Sequence, residues 1–298
     1  MNFKIVLTLL LAVFCLALTP VAKAQDAQDM MPAESSAKAK DLIQQMIAAL
    51  GGPTYLNVHD TTCTGHLGDF GHSGDLDGFE HFIDYTQPPF KDRQENLPKR
   101  NIIAVFNGDK GWTLDRGGVT EAAASDVARF QEDTKIDLDN LLRHRIHEKD
   151  MVFRYGGQDI VELKEADWVE LVDGDNRTIH LAIARDTHLP IEKIVDIRDP
   201  RTQLKSNETE YYSLYHPIDG VETPFQITRK RNGVKVFQVF FDKCEYNTGL
   251  SDALFTKESL DERWAKVGKK HKKHHESKSK SAKDKDNKDN KDTDDSSN

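Results

Sequence analysis

The sequence is sparing with cysteine, tryptophan and long apolar runs. It has 3 Cys and 3 Trp in 298 residues. Cys15 lies in an N-terminal apolar stretch, so two cysteines remain downstream, Cys63 and Cys244. That leaves room for one disulfide in an oxidising compartment, or for two separate buried thiols. After Leu18 no stretch is apolar enough to cross a bilayer, which takes roughly 20 residues. A membrane-spanning protein is therefore not expected.

Catalytic signatures are missing too. There is no Gly-x-Ser-x-Gly elbow, no His-Glu-x-x-His and no Gly-Lys-Ser/Thr phosphate loop. Basic charge is not in excess either. The whole chain has 41 Lys and Arg against 50 Asp and Glu. Setting aside two lysines in residues 1–24, and the eleven Lys and seven Asp/Glu of 266–298, leaves 28 basic and 43 acidic residues, a net −15. A nucleic-acid groove needs a clustered basic surface, so nucleic acid is not an expected partner.

What is present starts with a leader. Lys4, the apolar run from Ile5 to Leu18 and Ala22-Lys23-Ala24 have the layout of a secretory signal peptide cleaved after Ala24. Bulky Phe14 before Cys15 argues against lipidation there. A periplasmic location is expected. Residues 25–34 read as a flexible leader, 35–262 as a single α+β domain and 266–298 as a disordered charged tail. The tail histidines His271, His274 and His275 read as part of a solvated run.

Within the domain, Ser35 or Ser36 is placed to cap a helix. Its apolar stripe is Ala39, Leu42, Ile43, Met46, Ile47 and Leu50, ended by Gly51-Gly52-Pro53. From Asn57 the period shifts towards two. Strands are expected near 58–67, 76–86, 90–97, 101–106 and 112–115. After a helical insertion over 125–147, with a break at Asp133-Thr134, they resume at 151–156, 159–164, 167–172, 178–185, 190–197, 207–215, 223–231 and 234–245. Asn232-Gly233 is the strongest hairpin signal. Short links imply antiparallel neighbours.

The stretch Val105 to Asp115, VFNGDKGWTLD, leads into a β-type run and not into a helix. It therefore reads as a hairpin and not a phosphate loop. Two registers are open: Phe106 opposite Trp112, or Ile103 opposite Trp112. His144 and His147 lack a carboxylate completing a zinc pattern. Asp75, Asp77, Glu80 and Asp84 read as the polar face of a strand pair. Cys63 beside His59 or His66 is what alternation alone produces. No metal site, cofactor or catalytic residue is expected.

Several motifs in order carry a resemblance. They are the early helix closing on ALGG, Pro88-Pro89-Phe90-Lys91-Asp92-Arg93, VFNGDKGWTLD, YHPIDGVETPFQI over 215–227, and Cys244 to Phe255. Together these resemble the periplasmic lipoprotein-carrier superfamily, the LolA/LolB-like outer-membrane lipoprotein-sorting proteins. The resemblance implies a curved antiparallel sheet, an open half-barrel, with an N-terminal helix and a helical insertion covering its concave face. It implies a non-enzymatic carrier whose cavity takes an acyl chain or a lipoprotein. The candidate lining is Phe106, Trp112, Leu114, Phe130, Leu141, Leu142, Phe225 and Phe240. Arg93, just after the Pro-rich bend, is the candidate lid contact. A regulatory or scaffolding module with an envelope protein partner is the alternative. A hydrolase would instead require a carboxylate or histidine cluster inside the cavity.

Overall fold

A computed structural model describes residues 30–97, 102–198 and 203–266. The expected signal peptide over 1–24, Pro98 and the expected tail beyond 266 with its histidines lie outside the described residues. Helix α1 spans Pro32–Leu50 and α2 spans Pro53–Leu56. The whole apolar stripe of α1 is buried. The helix starts three residues before Ser35, with Pro32 in its first turn, where a fixed φ and a missing N–H cost nothing. Ser35 is not the cap: its Oγ accepts from the Tyr155 backbone N–H at 2.9 Å and ties α1 to the sheet. Gly51, at φ +128°, ends the helix.

Six strands follow: β1 (Thr61–Phe70), β2 (Leu76–Gln87), β3 (Lys91–Leu97), β4 (Ile102–Asn107), β5 (Lys110–Asp115) and β6 (Gly118–Glu121). The insertion is α3 (Ala124–Ile136) and α4 (Leu138–Asn140), which runs into a π-helical turn at Leu141–Arg145. Seven more strands complete the sheet: β7 (Val152–Val161), β8 (Lys164–Val172), β9 (Thr178–Ala184), β10 (Pro190–Arg198), β11 (Lys205–Ile218), β12 (Val221–Arg231) and β13 (Val234–Tyr246). A 3₁₀ turn at Asp252–Phe255 and a helix over 257–266 close the described chain.

All thirteen strands form one antiparallel sheet in the order β6-β5-β4-β3-β2-β1-β13-β12-β11-β10-β9-β8-β7. Two meanders are joined in the middle by the β1–β13 pair. The sheet is curved and does not close into a barrel. The chain passes from one edge, β6, to the other, β7, and it does so through the insertion. That connection has to cross the concave face, which is how α3 and α4 come to cover it.

Four details differ from the expected pattern. The hairpin takes neither register: Val105 sits opposite Trp112 and Asn107 opposite Lys110, around a Gly108-Asp109 turn. Gly108, at φ +64°, suits the first position of a two-residue hairpin turn. Its N–H also donates to Phe90 O at 2.9 Å, which pins the turn one residue further on. Gly156-Gly157 is no turn but a bulge inside the continuous β7. The real turn is Glu162-Leu163, both at positive φ, a pair without turn-like composition. The insertion breaks at Asp137, not at Asp133-Thr134, because the Asp137 carboxylate accepts from the Asn140 N–H at 2.9 Å and caps a new helix. Strand β6 is additional to the expected set.

Candidate functional site

A cavity of about 650 Å³ lies between the concave face and the insertion. Strand alternation supplies one wall. Leu67, Phe82, Phe237, Val239 and Phe241 project from β1, β2 and β13 into it. The opposite wall comes from α3 and α4, with Phe130, Ile136 and Leu138. Phe106 of β4 stacks on Phe130 of α3, ring centroids 4.7 Å apart, so the hairpin region and the lid meet there. Gln131 Nε2 donates to Gly108 O at 3.4 Å beside the same contact.

The floor is polar. Asp84 on β2 and Asp92 on β3 are hydrogen-bonded to each other and face the cavity. Burial raises the Asp84 carboxyl to about 7, and the nearby Asp137 charge adds to this. Burial, then the Asp84 charge, raises Asp92 well above the ordinary carboxylate range. Two carboxylates this close share a proton. Burial likewise raises Asp137 to about 6, with Asp139 adding to the effect.

A second polar group latches the lid. Lys193 Nζ on β10 is 2.6 Å from Glu210 Oε2 and donates to Ile136 O, the C-terminal carbonyl of α3, at 2.8 Å. A cation there complements the helix dipole. Glu210 also accepts from Arg229 and, at 2.6 Å, from Tyr212 Oη. Burial alone would raise this carboxyl, but Lys193 and Arg229 outweigh it and hold it far below its usual range. Asn140 Nδ2 donates to Pro89 O at 3.1 Å, tying α4 to the β2–β3 bend. Arg143, buried beneath the lid, pairs with Asp139 at 3.2 Å and lies over the Tyr55 ring. Its Nε has no hydrogen-bond partner.

Of the eight expected lining residues, Phe106 and Phe130 reach the cavity wall. Leu141 and Leu142 are on the concave side but fully buried in the packed core under α1. Trp112 and Leu114 face the other way. The hairpin register puts them on the face of Ile103 and Val105, where Phe255 and Leu260 cover them. Phe240 alternates to the convex face, opposite Gln226 and His66, and is 38% exposed. Phe225 packs edge-on against His216, where the β11–β12 ladder is interrupted between the Ser213 and Tyr215 pairs.

Arg93 does not touch the insertion. It shares the Val105 face, pairs with Glu95 at 2.8 Å, and donates to Leu254 O and Ser259 Oγ. It holds the C-terminal segment against the convex side. Cys63 and Cys244 sit directly opposite in the β1–β13 pair and are joined by a disulfide. That removes Cys63 as a nucleophile.

Sequence reasoning missed Phe82, Phe237 and Phe241, and read Asp84 as plain strand surface. Parity with Cys63 leads to Phe82 and Asp84 through the β1–β2 register, but parity with Cys244 leads to Phe240, because the bulge at Asp242 reverses the alternation in β13. A second cleft, about 680 Å³, lies between α3 and β9–β11. Arg129, Glu132, Arg177, His180 and Asp196 line it, with no Phe, Tyr or Trp. It offers an apolar ligand little.

Comparison with solved structures places the fold. A DUF1329-family protein from Desulfovibrio piger superposes with a TM-score of 0.54 at 15% identity, over 76% of this chain and 99% of that one. A domain assigned to outer-membrane lipoprotein sorting, from Vibrio parahaemolyticus, superposes at 0.51 and 10% identity, over 76% and 99%. A LolA superfamily protein from Nitrosomonas europaea, at 0.48 and 13% identity over 74% and 99%, is too distant to carry weight by itself. No family model matches the sequence, and no curated protein does. The chain has a LolA/LolB-like fold. No described helix is long and apolar enough to cross a membrane.

Proposed function

We propose that the chain is a non-enzymatic periplasmic carrier for acyl-bearing molecules, lipoproteins among them. The observation that supports this most directly is the cavity of about 650 Å³ with five apolar side chains on its sheet wall. That volume falls in the usual range for small-ligand sites, about 300–1,000 Å³. An acyl chain gains about 0.8 kcal/mol per buried CH₂. Against this stands the cost of displacing α3 and α4. Lys193, Asn140 and the Phe106–Phe130 stack hold α3 and α4 at their ends, while Leu141, Leu142 and Ile146 anchor the rest of the insertion in the core, so α3 is the part placed to lift. Phe82, Phe130, Phe237 and Phe241 are the residues assigned to acyl contact, and the Asp84–Asp92 floor faces the polar end of the ligand.

The test is native mass spectrometry and lipid extraction of protein purified from an envelope, with uptake of a fluorescent fatty acid measured in parallel. Bound lipid, and uptake that falls when Phe241 is replaced by aspartate, supports the carrier. Protein that neither carries nor takes up lipid sinks it.

The proton-sharing Asp84–Asp92 pair favours a second reading, an acid/base hydrolase. Paired carboxyls with displaced pKa values do such work elsewhere. Among the residues lining the cavity there is no serine, histidine or free cysteine. A hydrolase would therefore have to activate water with carboxyl groups, the pair and Asp137 among them. Ester turnover abolished by Asp84→Asn would establish it, and absence of turnover on acyl esters would dismiss it.

A further inference from the structure

The convex face carries a site that the cavity does not explain. His66 of β1 and His81 of β2 are directly opposite in the ladder. Their ring centroids are 3.8 Å apart. On the other side of β1, the β1–β13 register jumps from Thr64↔Lys243 to Gly65↔Phe241, leaving Asp242 as the extra residue of a bulge. Bulges re-aim side chains. Here Asp242 Oδ2 comes to 3.2 Å from His66 Nδ1. The bulge is fixed by composition: a Cβ on Gly65 would meet Phe240 O at 2.2 Å, so only glycine allows the strands to approach this closely.

We propose that His66, His81 and Asp242 form a binding site for a divalent transition-metal ion, of the zinc or copper class, on the convex face of the sheet. Three ligand atoms, one from each side chain, lie within 4.8 Å of one another. Tetrahedral metal bonds to imidazole and carboxylate of about 2.0–2.2 Å set ligand atoms roughly 3.4 Å apart, so the widest pair has to close by up to about 1.4 Å, a movement two side chains can share. Three neighbouring strands in the middle of the sheet supply the ligands, and the Cys63–Cys244 disulfide links two of those strands close by. The backbone frame is therefore set before any ion arrives, which lowers the ordering cost of binding. Phe79 stacks on His66 at 5.2 Å and restricts its ring. Two imidazoles and one carboxylate select zinc, copper or nickel over magnesium and calcium. His81 and Asp242 are exposed and His66 is half-buried, so a fourth position stays open to water or to a ligand from a partner.

The tail histidines complicate any metal titration, so the reference protein is the full chain with His271, His274 and His275 replaced by alanine. Zn(II) is titrated against a chromophoric chelator, with Mg(II) and Ca(II) as controls. The expected result is one zinc per chain, with affinity at least tenfold lower in both His81→Asn and Asp242→Asn. The metal-free melting temperature should stay unchanged in both variants, which separates ligation from folding. With Co(II), the reference protein should give a visible spectrum that is lost in His81→Asn. Zinc affinity within twofold of the reference in both variants would overturn the proposal. So would a reference protein that binds no zinc once the tail histidines are gone.

Discussion

The concave face has two halves built from the same alternation, and they end up differently. Under α1, strands β7 to β10 are packed solid. Val169, Leu171, Ile179 and Leu181 have no exposed surface, and Leu141 and Leu142 of the insertion fill the space above them. Across the middle of the sheet, β1, β2 and β13 present Leu67, Phe82 and Val239 in a small cluster of their own, with Phe237 and Phe241 only partly buried. The cavity lies in front of them. The difference is in the cover. Helix α1 presents a continuous apolar stripe and seals its half, whereas α3 covers the other half with Phe130, stacked on Phe106 of β4 at the cavity wall. One half stores stability and the other stores volume.

That division can be broken or sharpened by experiment. The largest effect is expected at the disulfide that staples β1 to β13 in the open half. Replacing Cys63 and Cys244 by serine opens a loop of 181 residues, which costs about 5 kcal/mol in the loop-entropy account. Urea unfolding of the double variant reads this directly. Next comes the packed half: Leu142→Ala is expected to cost about 3 to 4 kcal/mol, because a fully buried side chain leaves a void. Denaturant titration measures it. A loss under about 1 kcal/mol would mean that this half is looser than its burial implies.

In the open half the order reverses between stability and binding. Phe130→Ala should lower stability by about 1 kcal/mol, since its ring is only partly buried. Uptake of a fluorescent fatty acid by the same variant should weaken about tenfold, equivalent to roughly 1.4 kcal/mol. Leu142→Ala, assayed at a temperature where it stays folded, should leave uptake nearly intact. If both variants lose uptake equally, the two halves are not functionally distinct.

A further comparison concerns pH. Asp84 and Asp137 have folded-state values raised to about 7 and about 6. A raised carboxyl stabilises the fold below its unfolded value and loses that contribution as pH rises through its folded one. Stability should therefore decline from about pH 4 to about pH 7 on account of these groups. Asp84→Asn should flatten the decline. Glu210 works in the opposite sense. Its lowered value means that its contribution is present above the usual glutamate range and is lost in acid. Chemical denaturation at a series of pH values in the wild type and Asp84→Asn tests the sign. A wild type whose stability rises steadily from pH 5 to 8 would contradict it.

Much of the secondary structure was legible because it rests on short-range rules. The α1 stripe follows the helical period, and Gly51 ends it. Asn232-Gly233 makes its hairpin, with both residues at positive φ. Glu162-Leu163 was not legible, because neither residue favours a turn; strand pairing on either side imposes it. The site was less legible than the fold. The structure places Phe106 and Phe130 on the cavity wall and turns Trp112, Leu114 and Phe240 to the other face. A strand's parity is absolute only once one residue has been placed. For β4 and β5 the Gly108-Asp109 turn decides that placement, and for β13 the bulge at Asp242 does.

By itself, then, the sequence determined the local periods, the end of α1 at Gly51, the absence of familiar catalytic motifs and an antiparallel α+β chain. Each of these depends on neighbours a few residues apart. Tertiary structure alone decided which face of each strand looks inward, that Cys63 meets Cys244 across 181 residues, that Asp84 and Asp92 share a proton, and that His66, His81 and Asp242 converge. These depend on register and bulges, and a shift of one residue in register turns every side chain of a strand to the other face.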